Sequence, residues 1–144
     1  MTDTRPPAIT LEEFADVTRT GLPMAYRLGL RAEAIGYGTA TVRMPFDETL
    51  VRPGGTISGP ALMSLTDYTM YAALMGALGR VELAVTTNLN INFLRKPAAR
   101  DVLAECRIIK LGRTLCVLDV TLTSEGDDRP VAHATGTYAI PPKT

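Results

Sequence analysis

The sequence predicts an α+β fold in which a curved antiparallel sheet wraps around one long central helix. Three observations carry this reading. Residues 59–79 are apolar, small or hydroxylated apart from a single charge, Asp67, and a helix apolar nearly all round needs protein on most of its sides. After that segment the hydrophobic period changes to two and stays there, the mark of successive strands. The turns between those strands are short, which favours antiparallel neighbours.

The elements follow in order. Thr10 to Thr18 carries a helix start, with Thr10 as cap and Glu13 three residues on, a capping box. Gly21-Leu22-Pro23 ends it. Tyr26 to Ile35 reads as a first strand. Thr39 to Met44 alternates, with Ala40, Val42 and Met44 on one face and Thr39, Thr41 and Arg43 on the other. Arg52-Pro53-Gly54-Gly55 is a loop by composition. The central helix then opens with Ser58 as N-cap and Pro60 near the first helical position, where a missing N–H costs nothing. Gly76 and Gly79 mark its end. Asn88 to Phe93 alternates strictly, with Leu89, Ile91 and Phe93 on one face and three asparagines on the other. Val102 to Lys110 is the next strand, and Leu111-Gly112-Arg113 a tight turn. Leu115 to Thr123 follows, with Cys116, Leu118, Val120 and Leu122 inward. Glu125 to Asp128 is a loop, and Val131 to Ile140 the last strand.

The order is thus a helix, two strands, one long buried helix and a meander of four strands. A strongly curved sheet around that helix satisfies the layering rules, and this arrangement is the hotdog fold. Neither repeats nor a linker interrupt it. The expected organisation is a single domain, with residues 1–24 as an N-terminal segment carrying a short helix and residues 25–144 as the hotdog domain.

Composition narrows the class. A chain of 144 residues can bury about 68–70% of its unfolded surface. Its 46% apolar and 21% charged content reads as globular. Lys plus Arg equals Asp plus Glu at 15 each, so no net field attracts nucleic acid or an anionic membrane. Cys106 and Cys116 form no metal-ligand pattern. They read as reduced core thiols, with a pairing across a hairpin as the alternative. Residues 59–79 have the length of a bilayer span, but Pro60, Asp67, the hydroxyls and the glycines dilute the segment. No membrane association is expected. Residues 1–7 lack the layout of a signal peptide, and the expected compartment is the cytoplasm.

Asp67 is then the feature to explain. A carboxylate in apolar surroundings loses hydration at a cost of roughly several kcal/mol unless something offsets it. The bland reading is a buried structural acid bonded to Tyr68 or to backbone; the sharper one is that Asp67 does chemistry.

The segment Pro53-Gly-Gly-Thr-Ile-Ser-Gly-Pro-Ala-Leu-Met-Ser-Leu-Thr-Asp67, together with Thr86-Thr-Asn-Leu-Asn-Ile-Asn-Phe-Leu-Arg-Lys-Pro97 and Gly112-Arg113, resembles the hotdog-fold thioesterases of the phenylacetate-degradation (PaaI-like) group. The resemblance covers roughly residues 25–141. By it, Asp67 falls on the family's catalytic acid. Gly59 falls on the glycine whose N–H polarises the thioester carbonyl, and Thr86 on a Ser or Thr that helps hold the water or the acid. Three positions depart: Ser58 stands for a histidine, Pro60 for a second glycine, and Arg52 for a loop asparagine. The resemblance implies an acyl-CoA thioesterase, with coenzyme A as part of the substrate and no metal or other cofactor. The departures keep a second reading open, a non-catalytic acyl-CoA-binding hotdog protein. A structural oligomerisation module is a third, against which Asp67 argues.

The residues make a physical case beside the resemblance. A helix N-terminus offers unpaired N–H groups to a developing oxyanion. The Gly59 N–H is free to serve, since Pro60 has none to compete, and a glycine admits close approach. The bland reading of Gly59 is a simple helix-start glycine. Asp67 would act as nucleophile or general base. Eight helical residues rise about 12 Å, too far for one chain to bring both groups onto one carbonyl. An isologous homodimer, with the helix N-terminus of one subunit facing Asp67 of the other, solves this twice. A homotetramer built from such dimers is also expected. Ser58 suits an N-cap better than a nucleophile, with an assisting role as the further expectation. His133 shares a face with Thr135 and Thr137 and reads as a surface-strand residue, so no Ser-His-Asp triad is supported. Arg52, Arg95, Lys96 and Arg113 are the basic residues best placed for the phosphates of coenzyme A, against a bland reading as solvated charges.

Overall fold

In the computed structural model, which describes residues 3–142, the capping box forms as read. The Thr10 hydroxyl accepts from the Glu13 N–H at 3.1 Å, and Glu13 Oε1 accepts from the Thr10 N–H at 3.0 Å. Helix α1 runs Leu11–Gly21 and buries Phe14 and Val17. The expected strand from Tyr26 is corrected here. Pro23 sits in the first turn of a short helix α2, Pro23–Arg27, where its fixed φ favours a helical start. Gly29, at φ +74°, turns the chain out of it, so strand β1 begins only at Arg31 and spans Arg31–Gly36. Strand β2, Thr39–Met44, has the boundaries and the buried face that its alternation predicts.

The loop at Arg52–Gly55 is held by a bridge between Val51 and Ile57, with Gly54 and Gly55 both at positive φ. Helix α3 then spans Gly59–Leu78. Its buried hydroxyls are satisfied within the helix: Thr66 donates to Leu62 O at 2.8 Å and Thr69 to Leu65 O at 2.6 Å. Gly79 ends it at φ +80°, its N–H donating to Met75 O at 2.8 Å. Gly76 does not mark the end. It lies inside the helix, where a Cβ would run into the Gly36 carbonyl oxygen and lie 3.0 Å from Ile35 Cγ2. Its small size lets α3 lie directly on β1.

Strands β3 (Val85–Phe93), β4 (Val102–Leu111), β5 (Leu115–Ser124) and β6 (Pro130–Ala139) complete one six-stranded sheet of order β1-β2-β4-β5-β6-β3, antiparallel at every pairing. The expected four-strand meander is therefore a three-strand meander, β4-β5-β6. Strand β3 lies on the far side of β6, because α3 carries the chain across the sheet to that edge. Residues 94–101 bring it back. Three strand spacings are about 14 Å, well within the roughly 26 Å reach of eight extended residues. Irregular registers at Ala32/Ala34, Thr86/Asn88, Ile108/Lys110 and Leu122/Thr123 interrupt four of the ladders. Such bulges bend and twist strands, which suits a sheet curled around α3.

The core lies between α3 and the inner sheet face. Leu62, Leu65, Leu74 and Met75 meet Val42, Met44, Leu118, Val120 and Leu122, all buried. Phe14 of α1 packs on Tyr68 and Tyr71 of α3, with ring centroids 5.2 and 6.2 Å apart. Cys106 and Cys116 are buried free thiols. The β4–β5 register sets Cys106 against Val120 and Cys116 against Leu111, so they do not face one another across the hairpin. Among the described residues no helix is long and apolar enough to cross a membrane.

Candidate active site

The middle of α3, α2 and the start of β3 line an open cavity of about 700 Å³. Its walls are mostly apolar and include Leu22, Met24, Met63 and Leu89. Asp67, Thr86 and Tyr138 form its polar end. Asp67 is half-buried there, not enclosed in the core as its apolar neighbours in sequence suggested.

The hydrogen bonds of Asp67 are asymmetric. Oδ1 accepts from the Thr86 hydroxyl at 2.6 Å and from the Tyr138 hydroxyl at 2.5 Å. Tyr138 also reaches the Asp67 main-chain carbonyl at 3.1 Å. Oδ2 has no hydrogen-bond partner among the described residues and is not shut away from the cavity. Tyr68, offered above as a structural partner for Asp67, is engaged elsewhere: its hydroxyl bonds Thr18 Oγ1 at 2.6 Å. Since Thr18 donates its own proton to Phe14 O at 3.0 Å, Tyr68 is the donor in that pair. Tyr71 donates to Glu82 O at 2.9 Å.

Burial, and then the adjacent Asp67 carboxylate, push the Tyr138 phenol well above its ordinary range. Burial and the nearby Glu82 push Tyr71 up to about 12. Burial likewise raises Tyr68, with the Thr18 bond opposing. All three phenols therefore keep their protons at neutral pH and act as donors.

The other sequence-predicted residues divide between two ends of the sheet. Ser58 is the N-cap of α3, its Oγ accepting from the Ala61 N–H at 3.4 Å. The Gly59 N–H has no acceptor among the described residues. The Phe93 ring covers this glycine so closely that a Cβ would lie 3.3 Å from it. Arg52 precedes that contact in the loop leading to α3; Arg95 and Lys96 follow Phe93. All three are exposed, with Arg95 donating to Pro130 O at 3.0 Å. Arg113 lies in the β4–β5 turn, at the other end, where Leu115 and Val85 both pair with Ala139. Asp67 and Thr86 are thus brought together in one chain; Gly59, Ser58, Arg52, Arg95 and Lys96 form a second group that does not line the cavity.

Sequence reasoning missed two features. Tyr138 is one, although its signal existed: Ala132, Ala134, Gly136 and Tyr138 share the inward face of β6, and an inward hydroxyl needs a partner. The other is the wall formed by residues 21–25, of which Gly21-Leu22-Pro23 reads in sequence only as the end of the first helix. His133 lies half-exposed on the outer sheet face, bonded to Asp119 at 2.5 Å. A smaller cavity of about 340 Å³ on that face is lined by Arg107 and Asp119, themselves paired at 3.2 Å.

The family model described as Thioesterase superfamily matches residues 54–131. A solved structure from Silicibacter sp. TM1040, described as a candidate thioesterase, is 41% identical, covers 94% of both chains and superimposes with a TM-score of 0.85. The phenylacetic acid degradation protein PaaI of Thermus thermophilus, solved as a mutant, is 27% identical over 83% of this chain and 99% of its own, with a TM-score of 0.73. A candidate esterase of Saccharolobus solfataricus is 31% identical over 113 residues, 78% of this chain and 74% of the relative. With the six-stranded antiparallel sheet around α3 already described, these matches make the chain a member of the thioesterase superfamily, a PaaI-like thioester hydrolase of hotdog fold.

Proposed function

We propose that the protein hydrolyses an acyl-CoA thioester to the free acid and coenzyme A, in a site shared between two subunits of a homodimer, with Asp67 as general base or nucleophile. The observation that carries this reading is the asymmetry at Asp67. Two hydroxyls hold one carboxylate oxygen, the other has no partner among the described residues, and the residue lines a mostly apolar cavity.

As general base, Oδ2 takes a proton from water while the water oxygen attacks the thioester carbonyl carbon. As nucleophile, Oδ2 attacks that carbon itself, and water then cleaves the acyl anhydride. In both routes the C–S bond breaks, the sulfur leaves as thiolate, and it gains the proton released from water. The carbonyl oxygen turns negative at attack, so the site needs a donor aimed at it. The N–H of Gly59 of the partner subunit is the candidate, unpaired and at a helix N-terminus. The apolar walls around Met24, Met63 and Leu89 suit an apolar acyl group. Arg52, Arg95, Lys96 and Arg113 are the candidates for the coenzyme A phosphates, and Ser58 for a supporting contact. Water, a carboxylate and a backbone amide supply the chemistry, so the proposal includes no metal or redox cofactor. Two such dimers would form the homotetramer.

The test is release of free thiol from a panel of acyl-CoA esters with straight-chain and aryl acyl groups. Asp67→Asn is expected to lower kcat by roughly 10²–10⁴-fold. Turnover that survives the substitution would take Asp67 out of the mechanism. Tight acyl-CoA binding without thiol release from the unmodified protein would make it a binding module instead.

A further inference from the structure

We propose that Tyr138 is a positioning residue for this reaction, clamping Oδ1 of Asp67 so that Oδ2 alone is presented to the thioester. The inference rests on the reading of Asp67 as base or nucleophile. Neither the family resemblance nor any sequence motif assigns a role to Tyr138.

The Tyr138 hydroxyl has one proton: it donates it to Oδ1 at 2.5 Å, with the Asp67 main-chain carbonyl, 3.1 Å away, as the weaker branch of a bifurcated bond. The carboxylate χ2 is a broad and soft torsion, so its orientation depends on what holds its oxygens. Thr86 grips the same oxygen from β3 at 2.6 Å. Two donors on Oδ1 fix the carboxylate plane and leave Oδ2 as the atom able to take a proton or form a bond.

The packing around Tyr138 preserves this geometry. Its ring is buried and lies 6.1 Å from the Tyr71 ring, centroid to centroid. Two residues earlier, Gly136 has no Cβ; one there would lie 2.6 Å from Met70 Sδ and 3.0 Å from Asn88 O. That glycine lets β6 approach α3 closely enough for the phenol to reach Asp67. Ala132, Ala134 and Gly136 are small, so Tyr138 is the first long side chain on the inward face of β6.

The groups able to influence Asp67 are few. Tyr138 faces it from β6. Tyr68 and Tyr71 line the same cavity from α3, and Glu82 from the connection before β3, paired with Arg80. The cavity wall contributed by α1 and α2 carries no charged residue.

The experiment compares Tyr138→Phe, Thr86→Val and Asp67→Asn with the unmodified enzyme, using hexanoyl-CoA and benzoyl-CoA from low to high pH. Tyr138→Phe keeps the ring and removes only the hydroxyl. It is expected to lower kcat roughly 10–100-fold, the range for losing one hydrogen bond to a charged group. KM should stay about unchanged. Thr86→Val should lower kcat in the same way, and Thr86→Ser should restore it. Wild-type kcat in Tyr138→Phe overturns the proposal, even where Asp67→Asn is inactive and the reading of Asp67 stands. A raised KM with unchanged kcat assigns Tyr138 to substrate binding and overturns it as well. Turnover persisting in Asp67→Asn removes the carboxylate from the reaction, and the clamp with it.

Discussion

Asp67 and Asp101 are both partly buried carboxylates, and their partners separate their roles. Asp101 has both oxygens committed: Oδ1 accepts from the Phe46 N–H at 2.8 Å and Oδ2 from Arg43 at 2.9 Å. Arg43 in turn reaches Glu33 at 2.6 Å and Glu125 at 3.0 Å, tying the starts of β1 and β4 to the end of β5. Such a carboxylate is a fastener, whereas Asp67, with one oxygen unpartnered, has an atom free to react. The difference yields a pH prediction. The Phe46 N–H first, and then Arg43, hold the Asp101 carboxyl below its usual value of 3.8. A folded-state pKa depressed in this way contributes stability above the unfolded value and loses it as pH falls through the folded one. Asp101→Asn should therefore melt below the unmodified protein at pH 7, and the gap should close as pH falls below about 4. Thermal unfolding of both across that range checks this; a gap constant with pH would contradict it.

Between elements, contact distance is set by the smallest residues. Gly76 faces the Gly36 carbonyl and Ile35, with no room for a methyl group. Gly76→Ala should raise the helix propensity of α3 by about 1 kcal/mol, yet overpacking against a backbone carbonyl costs typically about 1–3 kcal/mol. Because backbone cannot swing aside as a side chain does, the steric effect wins. A net loss of up to about 2 kcal/mol in denaturant midpoint analysis is the expected outcome, and a stabilised variant would refute it. The same glycine shows where the sequence was legible and where it was not. A glycine near the end of an apolar run looks alike whether it stops a helix or admits a neighbouring strand, and only the fold distinguishes Gly76 from Gly79. Period-two alternation read β2 and the inward face of β5 correctly, because each strand's burial depends on its own residues. It could not read the position of β3, since which edge a strand joins depends on where α3 delivers the chain. Asp67 and Thr86 were both legible as neighbours in the candidate site, through the resemblance. Tyr138, 71 residues from Asp67 in sequence, was legible only as an inward position, with nothing local to name its partner.

At the scale of the whole molecule, the candidate groups lie apart in one chain, and the proposed homodimer would bring them together across a two-fold axis. Strand β3 pairs with β6 on one side only, and is an edge of the sheet. Along and beside it Leu83, Val85, Phe93 and Leu94 are each more than half exposed, an apolar edge of the kind that pairs with another chain. If two copies of β3 lie antiparallel about a two-fold axis, the Phe93 end of one meets the Val85 end of the other. Phe93 covers Gly59, and Thr86 bonds Asp67. The pairing would therefore carry Gly59 of the partner subunit, with Arg95 of the partner subunit and Lys96 of the partner subunit beyond it, toward Asp67. The arrangement predicts complementation. Gly59→Pro removes the proposed oxyanion donor at a helix position that tolerates proline, and Asp67→Asn removes the carboxylate; each variant alone should release little thiol. Co-refolded in equal amounts they form mixed dimers, in which one site receives both defects and the other receives neither. Random association makes about half the dimers mixed, each with one intact site, so the mixture should recover about a quarter of the unmodified activity. A site contained within one chain would leave the mixture as inactive as its components. The measurement therefore tests whether dimerisation is part of the chemistry.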